Sequence, residues 1–282
     1  MIKIIRAFLD FIALLSPKIK HPYIVILNYH SIFKNDQAVT DEWSISVNMF
    51  DKQMKYLIDN NIEILALKDI GNTLSKNFFR NKFYVIITFD DGLEDNYNNA
   101  VPVLKKYGIN HATFFIVGNS VIPNYDTAWW VKKNKKLKLM SIEQIKILHK
   151  SGFEIGSHAL SHQNFNYVQD NNIEKELIDS KKILDFKCDL DCKSIAIPFS
   201  INGNLKKEVL IKDICLKNGY DFLFLGSYGY IKNKKYHKND LPRIPIYRSD
   251  SMKTFILKVN GKFNFVSKIY YLRKKIRYTF GL

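Results

Sequence analysis

The stretch "VIITFDDGLEDN", residues 85–96, sets an apolar run directly against two adjacent carboxylates, Asp90 and Asp91, and then a glycine. Two like charges at the end of a buried element repel each other and resist leaving water. Asp-Gly is a strong hairpin signal, but a hairpin needs a second strand. The residues that follow, "LEDNYNNAVPVLKKYG", instead space Ala100, Val103, Leu104 and Tyr107 along one helical face. The stretch therefore predicts a strand feeding a helix, with both aspartates at the carboxyl end of the strand. A cation that neutralises at least one of them accounts for the pair.

The same strand–helix unit recurs along the chain. "YIVILNY" (23–29), "ATFFIV" (112–117), "FEIGS" (153–157), "SIAI" (194–197) and "DFLFL" (221–225) are short apolar runs rich in β-branched or aromatic residues. Such runs suit parallel strands buried on both faces. Between them, Phe50, Met54, Leu57 and Ile58 give one helical face, and Ser141 with Gln144 reads as a capping box. Three helices end alike, in "KKYG", "HKSG" and "LKNG", where a basic last turn precedes Gly108, Gly152 or Gly219. Repeated units of this kind predict an α/β sheet or barrel whose active groups lie at the carboxyl ends of strands. No repeat of fixed period and no Pro- or Ser-rich linker interrupts it. We expect one main domain over 22–250, an amphipathic N-terminal segment over 1–21 and a basic amphipathic tail over 251–282.

Charge bounds the partners. The chain has 282 residues, with 43 Lys and Arg against 27 Asp and Glu, a net charge of +16. That excess favours a polyanion, either nucleic acid or an anionic membrane face. No nucleic-acid-binding motif accompanies it, which leaves the membrane. The tail carries eight basic residues and no acidic one from Ser251 onward. Its stripe of Phe265, Ile269, Leu272 and Ile276 runs beside Lys268, Arg273, Lys274, Lys275 and Arg277. At the N-terminus, Ile5, Phe8, Ile12 and Leu15 form a second stripe, and Lys3, Arg6 and Asp10 line another face. Asp10 interrupts any signal-peptide core, and the apolar stretch is too short to span a bilayer. The three cysteines, Cys188, Cys192 and Cys215, are an odd number that suits free thiols in a reducing compartment. The expected location is the cytoplasmic side of a membrane, peripherally bound; an extracytoplasmic, membrane-anchored protein is the alternative. Nothing in the sequence signals an oligomeric state.

Supporting ligands for a cation stand in "EIGSHALSHQNF", where His158 and His162 are four apart. On a helical turn the two imidazoles would face one way. Two His and a carboxylate with open positions fit zinc or a similar divalent ion. "TFDDG" followed by "SHALSH" resembles the polysaccharide deacetylase family (carbohydrate esterase family 4, the NodB homology domain), over roughly residues 22–248 by motif order. The resemblance implies a distorted (β/α) barrel, usually of seven strands, and removal of an acetyl group from an N-acetylated sugar of a polysaccharide or lipid-linked glycan. It makes Asp90 the catalytic base, and Asp91, His158 and His162 the metal ligands. "IAIPFS" is similar to the family's third motif, with Pro198 and Phe199 in the positions that serve substrate and oxyanion. Ala196 replaces that motif's arginine and Ser200 its glycine, and the late leucine–histidine motif is missing. Family members acting on exported or biofilm polysaccharide resemble this variant, which makes His30 of "LNYHSI" the candidate acid. Arg243 of "LPRIPI" is the candidate to orient Asp90, with an ordinary ion pair as its bland alternative. A sugar-binding pseudoenzyme of the same fold, or a deacylase acting on another amide, are the rival functions. Trp43, Trp129, Trp130 and the tyrosines of "GSYGY" are candidates to stack on sugar faces. The histidines at 21, 111, 149 and 237 read as surface or packing groups.

Overall fold

The computed structural model describes residues 2–17, 23–34, 41–75, 83–123, 125, 137–201, 204–232 and 238–280. His21, Trp129, Trp130, His237 and the basic run 131–136 lie outside the described residues, as do the side chains of Lys3 and Arg277.

The expected strands form. They are β1 (Tyr23–Tyr29), β5 (Phe83–Phe89), β6 (Thr113–Ile116), β7 (Glu154–Ser157), β8 (Ser194–Ala196) and β9 (Phe222–Phe224). With β10 (Ile244–Pro245) they make one parallel sheet in the order β10-β1-β5-β6-β7-β8-β9, and β4 (Glu63–Ile64) joins β5. A small two-stranded sheet pairs β2 (Ser31–Phe33) with β3 (Ser44–Ser46). Seven strands curl into an incomplete barrel, consistent with the distorted (β/α) barrel expected. Between β9 and β10 the described residues have a single parallel bridge, Tyr228 to Arg243, in place of a ladder.

Alternation along each strand separates two cores. Ile24, Ile26, Tyr84, Ile86, Phe115, Ala196, Phe222 and Phe224 fill the barrel interior. Val25, Leu27, Val85, Ile87, Phe114 and Leu223 face outward into a larger core. Helices cover this outer face: α2 (Val47–Asp59), α4 (Val101–Lys106), α5 (Ile142–Lys150), α6 (Asp170–Cys188) and α7 (Leu205–Lys217), with the short α3 (Ile70–Ser75) after β4. Both faces being buried is what makes the strand sequences continuously apolar. The Ser141–Gln144 capping box has both its hydrogen bonds, and the glycines of "KKYG", "HKSG" and "LKNG" all adopt positive φ. On α2, Phe50, Met54 and Leu57 are buried as expected, whereas Ile58 is exposed.

At the N-terminus, α1 (Ile2–Leu15) leaves Ile5, Phe8 and Leu15 of its stripe exposed. Its other side docks on α8 (Met252–Val259). Arg6 Nε lies 3.2 Å from Asp250 Oδ1, and Asp10 accepts from Thr254 Oγ1 at 2.7 Å. Buried partners thus claim the charged face: Arg6 joins Asp250, which also pairs with the fully buried Lys258, and buried charges persist where they are paired. In α9 (Asn264–Phe280), Ile269, Leu272 and Ile276 are exposed, but Phe265 packs against the chain end of α1. Lys274 also turns inward, 2.7 Å from Glu208 Oε1 and 3.4 Å from Asp240 Oδ2. Among the described residues no helix is long and apolar enough to cross a membrane. Cys188, Cys192 and Cys215 are buried free thiols, and burial raises the pKa of each.

Candidate active site

At the carboxyl ends of the strands lies a cavity of about 540 Å³. His30 reaches it from the end of β1, Asp90 and Asp91 from β5, and His158 and His162 from the loop after β7. Phe199 and Ser200 reach it from the loop after β8, and Gly226 to Tyr228 from the loop after β9. Arg243, beside β10, closes the set. Pro198 is buried and does not line the cavity; its neighbour Phe199 does, so Pro198 shapes the turn and is no contact surface.

The His pair does not sit on a helical turn. It lies in an irregular loop in which Ala159 and His162 both adopt positive φ, at 60° and 57°. The loop brings the rings together all the same, with centroids 5.0 Å apart. Glu176 of α6 holds it there: the carboxylate accepts from the backbone N–H of Leu160 and Ser161 at 3.1 and 3.0 Å and from Ser161 Oγ. Gly118 and Asn119 donate to the carbonyls of Ala159 and Leu160 from the other side, both at 2.8 Å. Non-glycine residues at positive φ are costly, and Asp91, Ala159, His162, Phe199 and Ser200 are five of them gathered around one cavity. The expected effect of Glu176→Ala is a loss of metal affinity of about 10–100-fold with the ligands themselves intact, read by titration with zinc.

The three expected ligands converge. One donor atom each from Asp91, His158 and His162 lies within 4.8 Å of the others. His158 Nδ1 is 2.7 Å from the Ala196 carbonyl, which accepts its proton and leaves Nε2 as a lone pair. That lone pair faces Asp91 Oδ1 at 3.3 Å, and His162 Nε2 faces the same oxygen at 3.1 Å. Acceptors opposed in this way repel unless a proton or a cation lies between them. The donor set therefore fits a divalent cation. Burial pushes the Asp91 carboxyl up, but where a proton bridges it to His158 and His162 those contacts more than offset burial and hold its pKa well below the usual carboxylate range.

Asp90 stands outside this set. Arg243 grips it with two hydrogen bonds, Nη1 to Oδ1 at 2.6 Å and Nη2 to Oδ2 at 2.8 Å, and Asn28 adds a third at 3.2 Å. The guanidinium caps the barrel interior, 5.1 Å from the Phe224 ring centre and 5.6 Å from that of Phe115. Arg243 thus holds both oxygens of Asp90, a contact that the methyl group of Ala196 cannot make. Burial raises Asp90, yet the charge of Arg243, then of His158 and His30, brings its pKa below the ordinary value.

His30 Nε2 lies 3.9 Å from Asp90 Oδ2, and its ring leans on Trp43 at 4.5 Å. The His30 segment is pinned by side chains whose purpose is invisible in the sequence. Asn96 Nδ2 donates to the His30 carbonyl and Asn99 Nδ2 to that of Ile32, both at 2.7 Å. Both residues belong to a π-helical turn, Asn96–Ala100, between Asp91 and α4. A wider turn shifts the helix register and lets both amides point at one segment. Trp43, Tyr228, Tyr247 and Tyr270 complete an aromatic wall. Of these only Trp43 and Tyr228 stood out in the sequence; Tyr270 comes from the tail, which therefore belongs to the site. His111 and His149 are exposed.

Gly226 guards the turn that carries Phe199. A Cβ at that position would lie 1.9 Å from Ser200 Cβ and 2.6 Å from Ser200 Cα, at φ +92°. Gly226→Ala is expected to displace the 199–200 turn or cost several kcal/mol, on the order of 1–3 from strain alone, read as a drop in the urea midpoint.

The polysaccharide deacetylase family model matches residues 80–213. Over 160 residues the chain is 33% identical to YxkH of Bacillus subtilis, assigned to the polysaccharide deacetylases, across 57% of this chain and 50% of that protein. It therefore spans half the length of that relative. Over 223 residues it is 29% identical to the poly-β-1,6-N-acetyl-D-glucosamine N-deacetylase of Staphylococcus aureus, covering 72% of this chain and 73% of the other. In fold it is similar to the Streptococcus pyogenes deacetylase PplD, with a TM-score of 0.68, 22% identity and coverage of 85% and 99%. It is also similar to IcaB from Ammonifex degensii, with a TM-score of 0.66, 18% identity and coverage of 88% and 98%. Motifs, barrel and sequence similarity agree: residues 80–213 match the polysaccharide deacetylase family model, and the chain is similar in sequence and fold to polysaccharide deacetylases.

Proposed function

We propose that the protein is a metal-dependent N-deacetylase acting on N-acetylated hexosamine units of a glycan, with β-1,6-linked N-acetylglucosamine as the first substrate to try. The observation that carries this reading is the division between the two aspartates: Asp91 faces His158 and His162, whereas Asp90 is held by Arg243 alone of the charged groups at hydrogen-bond distance. Asp91, His158 and His162 would hold the cation, and two imidazoles with a carboxylate suit zinc. Bound there, a divalent ion supplies Lewis acidity that polarises an acetamide carbonyl and acidifies water.

The chain's own residues do the rest. Asp90 accepts the proton of the attacking water, its oxygens fixed by Arg243 and Asn28. The Phe199 backbone N–H is the candidate oxyanion donor, on a turn of positive φ where Phe199 lines the cavity. The aromatic wall of Trp43, Tyr228, Tyr247 and Tyr270 gives sugar rings flat apolar faces. His30, across from Asp90, donates a proton to the departing amine. His30→Ala is expected to lower turnover of the amide by about 10²–10⁴-fold while sparing an activated aryl acetate, whose leaving group needs no proton. Equal losses on both substrates would contradict that role.

The test is release of free amine from a β-1,6-linked N-acetylglucosamine oligosaccharide. Activity is expected to vanish with chelator and return with zinc. Metal-loaded protein that releases no amine from this or any other N-acetylated oligosaccharide would contradict the reading.

A further inference from the structure

One wall of the catalytic cavity is tied to the tail by a chain of polar groups. Ser227, from the loop after β9, lines the cavity and is otherwise buried. Its hydroxyl donates to Asp240 Oδ2 at 2.7 Å. The same oxygen lies 3.4 Å from Lys274 Nζ of α9, and Lys274 reaches on to the buried Glu208 of α7 at 2.7 Å. Tyr270, one turn before Lys274, also lines the cavity, and its phenol pairs with the Ser227 hydroxyl. The Arg243 backbone N–H donates to the Ser227 carbonyl at 2.9 Å, and the Arg243 side chain holds Asp90. The wall therefore adjoins the proposed base.

The direction of each hydrogen bond follows from what each group can give. A carboxylate paired with an ammonium has no hydrogen to offer, so Asp240 only accepts. Serine carries one hydroxyl hydrogen, and Asp240 takes it. Ser227 then has only lone pairs for a second neighbour. Where that neighbour is Tyr270, the phenol must donate, and burial, which raises its pKa, keeps the proton on it. The phenolic oxygen then turns only lone pairs to the cavity. A ligand that meets either hydroxyl therefore meets an acceptor, and bonds that all point one way strengthen one another. We propose that Ser227 and Tyr270 form a subsite selective for a free sugar hydroxyl, with Asp240 as the positioning residue that sets its acceptor polarity. The proposal rests on the sugar-binding reading of the cavity. A sugar unit whose hydroxyl is capped at this wall has no hydrogen to give and loses the bond.

The experiment is calorimetric titration of the full chain, stripped of metal by chelator so that no sugar is consumed. The probes are the β-1,6-linked N-acetylglucosamine trisaccharide and two analogues in which fluorine replaces every 3-hydroxyl or every 4-hydroxyl. Fluorine is close to a hydroxyl in size and cannot donate. The parent protein is expected to bind one of the two analogues about 10-fold more weakly than the trisaccharide, the contribution of one hydrogen bond. In Asp240→Asn the amide can donate to Ser227 and free the serine hydrogen for the cavity, so the penalty is expected largely to disappear. Ser227→Ala frees the Tyr270 hydrogen and is expected to do the same. A general loss of packing would weaken all three sugars together and leave their ratio unmoved. Equal binding of all three sugars by the parent, or a penalty of the same size in both variants, would overturn the proposal. Selective binding by a protein that releases no amine once loaded with zinc would contradict the deacetylase reading and leave the subsite standing. A parent that binds none of the three sugars would overturn the subsite. Circular dichroism melting of each variant establishes that the fold is kept.

Discussion

Asp90→Asn is expected to bind zinc as the parent protein does and to lose about 10²–10⁴-fold in turnover. The amide is the same size, can still take one hydrogen bond from Arg243, and leaves Asp91, His158 and His162 in place. What it cannot do is accept a proton from water. Asp91→Asn gives the opposite pattern, because it removes a charged ligand: metal binding and turnover fall together. Comparing metal content with turnover in the two variants separates a base from a ligand, although the residues are neighbours in sequence. Near-normal turnover in Asp90→Asn would overturn the assignment.

The second large effect is on stability. Arg243 and Asp90 are both buried, so Arg243→Met strands a carboxylate in an apolar barrel mouth. Breaking one side of a buried pair costs about 3–5 kcal/mol. The pH dependence has a definite sign. With Arg243 present, Asp90 has a folded pKa below its ordinary value, and its contribution is lost only as pH falls through that folded pKa. Without Arg243, only the charge of His158 and His30 opposes burial, and the folded pKa rises above that of the parent. The penalty is then absent where Asp90 is protonated in both states, and it grows as pH rises. Urea midpoints of the metal-free variant are expected to fall further behind those of the parent as pH rises. Asp90→Asn in the Arg243→Met background is expected to recover much of the loss. A pH-independent deficit would mean that Arg243 acts through packing on Phe115 and Phe224 alone.

Much of this arrangement is legible in the sequence because strand ends advertise themselves. "VIITFDD" announces a buried element that stops at two charges, and "FEIGSHALSH" places two imidazoles just past another. Continuous apolar runs fixed the parallel sheet for the same reason, since both its faces are covered. The conformation of the His loop was not legible. A four-residue spacing suggests a helix, but the observed loop relies on Glu176, on Gly118 and Asn119, and on positive φ at Ala159 and His162. The strands β2, β3, β4 and β10 span two or three residues each, too few to show a period. Asn96 and Asn99 read as ordinary polar positions on a helix until the π turn aims them at the His30 segment. The packing of α1 was not legible either: Arg6 and Asp10 find partners in Asp250 and Thr254, a pairing across the length of the chain that no local pattern announces, while Ile5 and Phe8 are exposed.

The division of labour between the two aspartates can be seen directly in crystals grown with zinc and measured at the zinc absorption edge. The account predicts one anomalous peak within about 2.0–2.2 Å of Asp91 Oδ1, His158 Nε2 and His162 Nε2, with Asp90 still held by both nitrogens of Arg243. A peak that takes Asp90 as a ligand, or one that leaves either histidine outside the coordination sphere, would contradict it.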